Sequence, residues 1–415
     1  MNNVLAKNND FNKFIWSITF IFLIFFTLIF NPFYILILCV LIEQFKRQPK
    51  ILYWVITTSI VMSIVNREIG GSWGNLDTGF ANDDALIYLD AYFALETDSY
   101  LANPSEYLYK FFNGQEPGWY VLMESIGILT NYNEDMMLFF SVALPVFIIH
   151  FAVYRSFRYP LFTLLVFYFI STEVIHSFYH LWRFSLAMSL AILVIMLWKT
   201  NKSHIRKGIY YILPAFGHIT ILAPMFLLFV SNFFSAKKYH KNFGLLRKLK
   251  LSGTLILSMM GLALFLYVLF MNFEYSKMLY YFVSNSNEAS GALNPRFILQ
   301  ISICFFLMVY TKKPLVFVFS FFAAFVLLLP LLIDLSFIFI RLAVIFTPLV
   351  SLFYCLEIEN KKPLVYLTII GGSLLFLRLA LNSSDIGHYQ YMAQGDFFSI
   401  HAGLIYNLFG ETNVK

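Results

Sequence analysis

The chain alternates long apolar runs with short basic segments almost from end to end. Clear runs lie at 51–66, 136–153, 160–176, 181–198, 252–273, 295–311, 314–333, 336–356 and 363–381. Each approaches the roughly 20 apolar residues that a helix needs to cross a hydrocarbon core about 30 Å thick. The expected fold class is all-α: a polytopic integral membrane protein with roughly eleven to thirteen transmembrane helices. Basic clusters at Lys46/Arg47/Lys50, Arg155/Arg158, Lys199 to Lys207, Lys237 to Lys250, Lys312/Lys313 and Lys361/Lys362 mark the cytoplasmic side.

That parity forces irregular segments. Residues 208–235 begin and end in cytoplasmic clusters, and Pro214, Gly217 and Pro224 interrupt them. A broken hairpin is expected there, with His218 near its tip; such backbone is tolerated where it is buried or lines a wet cavity. Residues 117–131 carry Glu124 inside an apolar stretch and read as a re-entrant or surface helix. Residues 14–43 allow either one tilted span or two short helices hinged at Asn31-Pro32. The whole chain, 1–415, reads as a single membrane domain.

Composition agrees with this. Of 415 residues 60% are hydrophobic and 13% charged, about half the charge of a water-soluble fold of this size. The net charge of +6 resides in residues that flank spans, so it does not indicate nucleic acid. The three cysteines, Cys39, Cys304 and Cys355, fall inside apolar runs, and neither a disulfide nor a metal site is expected of them. The first apolar run lacks a small-residue cleavage site and reads as a retained helix.

The largest segment outside the spans, 66–135, is expected to form an external loop region. It holds 12 acidic residues against Arg67 and Lys110, with aromatic residues throughout. Asn82 or Asp83 can cap a helix in which Asp84, Tyr88 and Tyr92 share one face at i, i+4 and i+8. Aromatic rings beside carboxylates suit sugar recognition; a solvated loop with an interfacial aromatic belt accounts for the same residues. A second external loop is expected at 274–294 and an external tail at 382–415.

Four arginines then lie at one depth. Arg183, Arg296, Arg341 and Arg378 each stand 16 residues from a charged residue at the far end of their run: Lys199, Lys312, Glu357 and Lys362. Sixteen residues of helix rise roughly 24 Å, which brings each guanidinium to the external boundary. Arginine there snorkels or meets an anion. Four at one level suggest a site for a multiply charged group such as a lipid-linked pyrophosphate. Arg67 is at similar depth, but neighbouring Glu68 supplies a local ion pair.

The ordered elements Asp84-Ala85-Leu86-Ile87-Tyr88, Glu116-Pro117-Gly118, Arg183-Phe184-Ser185-Leu186-Ala187, Phe216-Gly217-His218-Ile219-Thr220 and Arg341-Leu342-Ala343 resemble the EpsG family, relatives of the Wzy-type O-antigen and capsule polymerases. The resemblance runs from about residue 80 to 350. It departs at Ile219, which follows His218 where the family has a small hydroxyl residue; Thr220 comes one position later. It implies a GT-C-like helical glycosyltransferase at the outer face of the bacterial cytoplasmic membrane, polymerising oligosaccharide repeats carried on undecaprenyl pyrophosphate. The implied partners are that lipid-linked oligosaccharide, the bilayer and a chain-length regulator, with no cofactor.

On this reading Arg183, Arg296, Arg341 and Arg378 hold the pyrophosphate, since guanidinium forks suit phosphate oxygens. Arg183, His218, Asp84 and Glu116 are the catalytic candidates. His218 positions the acceptor, acts as general base, or is a histidine bonded across helices. Glu116 is either a base or a helix cap. Asp84 competes as base or orients the acceptor hydroxyl. Tyr88, Tyr92, Trp119, Tyr179 and His180 are the sugar-binding candidates. No metal is expected: Asp83 and Asp84 are adjacent and diverge on a helix, and His176, His180 and Glu173 leave a tetrahedron incomplete. A ligase would use the same arginines. A flippase for lipid-linked sugars would need repeats and midplane charges, and neither is found.

Overall fold

The computed structural model describes residues 15–27, 30–45, 49–65, 84–104, 117–171, 178, 182–197, 214, 221, 224–228, 244, 248–257, 295–332 and 336–381. At 84–87, 117, 295–297, 329–332, 336–345 and 375–381 only the backbone is described. Every regular element among these residues is a helix. Those of ten residues or more are α1 (Ile15–Thr27), α2 (Pro32–Glu43), α3 (Lys50–Val65), α4 (Asp84–Ala94), α5 (Pro117–Thr130), α6 (Glu134–Ser156), α7 (Pro160–Ile170), α8 (Trp182–Leu197), α9 (248–257), α10 (Pro295–Tyr310), α11 (Pro314–Leu332), α12 (Ser336–Ile358) and α13 (Lys362–Leu381).

Proline sets many of the starts, because its missing N–H costs nothing in a first turn. Pro32, Pro117, Pro160, Pro295 and Pro314 open α2, α5, α7, α10 and α11. Of the two readings of 14–43, the structure takes the hinge: Asn31 separates α1 from α2, and its side-chain oxygen accepts from the Phe33 N–H at 3.0 Å. The run 160–176 is corrected. Its helix ends at Ile170, where Ser171 leaves helical geometry at φ −108°, ψ 60°.

Among the described residues, α6 is long and apolar enough to cross a bilayer by itself. Helices α12 and α13 are of similar length, 23 and 20 residues, but part of each has only its backbone described. The others include apolar helices such as α2 and α7, at 12 and 11 residues too short to span about 30 Å alone.

The chain divides into two compact units: Met1–Ile219 with Lys361–Lys415, and Thr220–Asn360. In the first, α6 packs against α3, α5, α7 and α8, and α13 returns onto α7 and α2. A buried polar circuit ties three of these helices together. The Tyr53 hydroxyl donates to the His150 carbonyl at 2.7 Å, and Thr57 Oγ1 donates to the Tyr53 carbonyl at 3.0 Å. Thr57 Oγ1 also lies 2.7 Å from His150 Nδ1, and His150 Nε2 lies 2.7 Å from the Tyr168 hydroxyl. With its proton spent on Tyr53, Thr57 must accept from Nδ1–H; Nε2 is then bare and accepts from Tyr168. Each polar atom is satisfied, as burial demands.

Nearby, Tyr159 offers α7 no side-chain cap. Glu43, buried at the end of α2, takes that role: its carboxylate accepts from the N–H groups of Leu161 at 3.2 Å and Phe162 at 2.9 Å. A carboxylate at a helix N-terminus also meets the favourable end of the dipole.

In the second unit α10, α11 and α12 pack on one another in turn. Lys248 Nζ caps the C-terminus of α10, donating to the carbonyls of Met308 at 2.9 Å and Val309 at 2.7 Å. Glu357, near the end of α12, pairs with Lys313 at 3.0 Å and accepts from Thr311, which fixes the α10–α11 turn.

Candidate functional site

The site grows from the way α4, α5 and the first turn of α8 meet inside the first unit. Helix α4 is described from Asp84, with the expected caps Asn82 and Asp83 outside the described residues, and carries Tyr88 one turn later. Helix α5 starts at Pro117 and presents Trp119 from its first turn. Helix α8 opens with Trp182 and Arg183. The four residues converge. Arg183 Nε donates to the Tyr88 hydroxyl at 3.2 Å, and the guanidinium carbon lies 5.2 Å from the centre of the Tyr88 ring. The Tyr88 ring meets Trp119 edge-on at 5.8 Å between centroids and tilts against Trp182 at 5.6 Å. A cation over an aromatic face contributes about 0.5–2 kcal/mol, and the hydrogen bond restricts the guanidinium to one orientation.

The setting is dry on the aromatic side. Tyr88 is 2% exposed, and Trp119 and Trp182 are each 1% exposed. Arg183 itself is partly exposed. The indole nitrogens of Trp119 and Trp182 have no hydrogen-bond partner among the described residues, although both are buried. The opening of α8 adds the positive end of a 16-residue helix. What these groups share is donor character and positive potential, which suits an anion rich in oxygen.

The rest of the described α4–α5 region supports the site from behind. Tyr92, expected as a sugar platform, is fully buried. Its hydroxyl pairs with Thr130 Oγ1 at 3.2 Å and donates to the Asn133 carbonyl at 3.3 Å, locking α4 to the end of α5. Burial pushes its ionisation up, with a smaller push from Tyr132 and a countering bond from Thr130, so it remains a neutral hydroxyl. Tyr88 and Trp119 are likewise not exposed stacking faces; they wall the site from within. The buried carboxylate of Glu124 accepts from Ser99 Oγ and from the Leu101 N–H at 2.8 Å, which pins the turn after α4. It is a tie within the loop region, beneath a helix whose outer face exposes Val121, Ile128 and Leu129.

The structure thus brings together Arg183, Tyr88 and Trp119 of the expected residues. Trp182 joins them; the sequence signal for it was only its position beside Arg183. The backbone places Asp84 four residues before Tyr88 on α4, Arg378 in α13, Arg296 in the first turn of α10 and Arg341 within α12. The 16-residue separations Arg341–Glu357 and Lys362–Arg378 are continuous helix. Arg183 and Arg378 belong to the first unit, Arg296 and Arg341 to the second. Glu116, Tyr179, His180 and His218 lie outside the described residues, as do the expected loop 274–294, the tail 382–415 and most of the hairpin 208–235.

No protein-family model matches the chain, and no curated protein or solved structure matches it.

Proposed function

We propose that this chain is a multi-pass membrane glycosyltransferase of the repeat-unit polymerase kind, working at the outer face of the bacterial cytoplasmic membrane. The observation that carries the reading is the arginine held over Tyr88 at the start of α8. Support for the membrane comes from the outward faces of the helices. Phe22 and Phe25 on α1, Val309 on α10 and Leu367, Ile370 and Leu374 on α13 are exposed, a surface that water would not tolerate over so many elements. The sequence resemblance to EpsG-type polymerases points the same way.

In the reaction so assigned, the bond from the anomeric carbon of the growing glycan to its undecaprenyl pyrophosphate oxygen breaks. A new bond forms from that carbon to a hydroxyl oxygen of a second lipid-linked unit. The hydroxyl proton passes to a base, for which Asp84, Glu116 and His218 are the candidates. The pyrophosphate leaves with one more negative charge, and a pre-oriented guanidinium stabilises that charge as it develops. Arg183 carries this role here.

The test is the glycan ladder made in a strain that supplies the lipid-linked repeat. Arg183→Ala is expected to leave single-repeat glycan and no polymer, at unchanged protein level. Long chains in that variant would overturn the reading.

A further inference from the structure

We infer that the indole N–H groups of Trp119 and Trp182 donate hydrogen bonds to the phosphate oxygens of the anion that Arg183 holds; this rests on the anion-site reading above. A buried donor with no acceptor costs about 1–3 kcal/mol, and native interiors keep few of them. Here two occur together, one on each of two helices, both on rings that pack against Tyr88. The same Tyr88 carries the guanidinium on its face and its hydroxyl. Both indoles thus share with the partly exposed cation one neighbour, Tyr88, as a ligand-completed site requires.

The donor set also names the ligand class. A sugar rim both gives and accepts hydrogen bonds, so its site needs acceptors as well. The guanidinium and the two indole N–H groups donate and never accept. Phosphate oxygens, which only accept, match such donors. Neutral donors in a dry setting add binding without further like-charge repulsion beside the arginine.

The experiment uses the full-length protein in detergent micelles, labelled with nitrogen-15 at its 6 tryptophans. Inorganic pyrophosphate is the probe. Two indole N–H signals are expected to move downfield together and to saturate, and neither moves in Arg183→Ala. Trp119→Phe and Trp182→Phe keep the ring packing, remove one N–H each, assign the two signals, and are expected to weaken pyrophosphate by about three- to tenfold. If a phenylalanine variant does not fold, the unsubstituted protein still decides, since two signals either move or do not. Arg183-dependent pyrophosphate binding with all indole signals unmoved would overturn this inference and leave the anion site standing. Absence of any pyrophosphate binding would remove the anion site and this inference with it.

Discussion

Tyr88 occupies the centre of the site because one side chain does three jobs. Its ring faces the guanidinium, that ring also packs against two tryptophans, and its hydroxyl accepts from Arg183 Nε. Phenylalanine would keep the first two and lose the third. A hydrogen bond to a charged group contributes about 1.5–3 kcal/mol. If that energy orients the arginine toward a charge that grows in the transition state, Tyr88→Phe lowers kcat by about ten- to a hundredfold and leaves KM nearly unchanged. Rates of glycan transfer in proteoliposomes measure the split. A raised KM at constant kcat would mean that Tyr88 serves ground-state binding. Two residues show why burial is hard to foresee one position at a time. Tyr92 shares a helix face with Tyr88, yet one turn farther along that face meets Thr130 and Asn133. Its neighbours come from residues some forty positions away, which no local pattern displays.

At the scale of elements, the turn between α5 and α6 holds the site's geometry. Asn131 and Tyr132 both take left-handed backbone, at φ 53° and 55°. The Tyr132 N–H closes back on the Gly127 carbonyl at 2.9 Å, and Asn133 then caps α6 by accepting from the Met136 N–H at 2.9 Å. The Tyr132 ring folds over Gly127, where a β-carbon would overlap it. Gly127→Ala is therefore expected to destabilise the first unit by about 1–3 kcal/mol, read as a lower thermal midpoint in detergent. Tyr132→Gly in the same chain removes both the overlapping ring and a left-handed side chain, and should recover part of the loss. Equal losses that simply add would refute the overlap.

Element boundaries were largely legible, because prolines, asparagine caps and basic clusters mark them: the helices at 32, 117, 160, 295 and 314 start at proline. The end of α7 at Ile170 was not, since Ser171 interrupts a stretch that mixes apolar and polar residues without a glycine or proline. The polar circuit of Tyr53, Thr57, His150 and Tyr168 was equally hidden, because its members are scattered over three separate apolar runs. The meeting of Arg183 with Tyr88 was legible only as two entries of one ordered motif set. The contact itself depends on α4 folding back over α8, 95 positions away.

At the scale of the whole molecule, the account depends on which side of the bilayer each end of the helices faces. The charge pattern puts the segment around Asp98 outside and the α12–α13 turn, with Asn360, inside; both residues are exposed. The native cysteines are buried and give little background. Asp98→Cys is expected to react with a membrane-impermeant maleimide in intact spheroplasts, and Asn360→Cys only after permeabilisation. The opposite pattern would put Arg183 on the cytoplasmic side and end the outer-face assignment.

The most direct measurement is turnover by the purified protein in proteoliposomes supplied with an undecaprenyl-pyrophosphate-linked repeat, comparing the unsubstituted chain with Arg183→Ala at equal amounts of folded protein. The account predicts that the unsubstituted chain releases undecaprenyl pyrophosphate as glycan lengthens, and that the variant leaves the single repeat on its carrier. Equal release and equal lengthening by both proteins would contradict it.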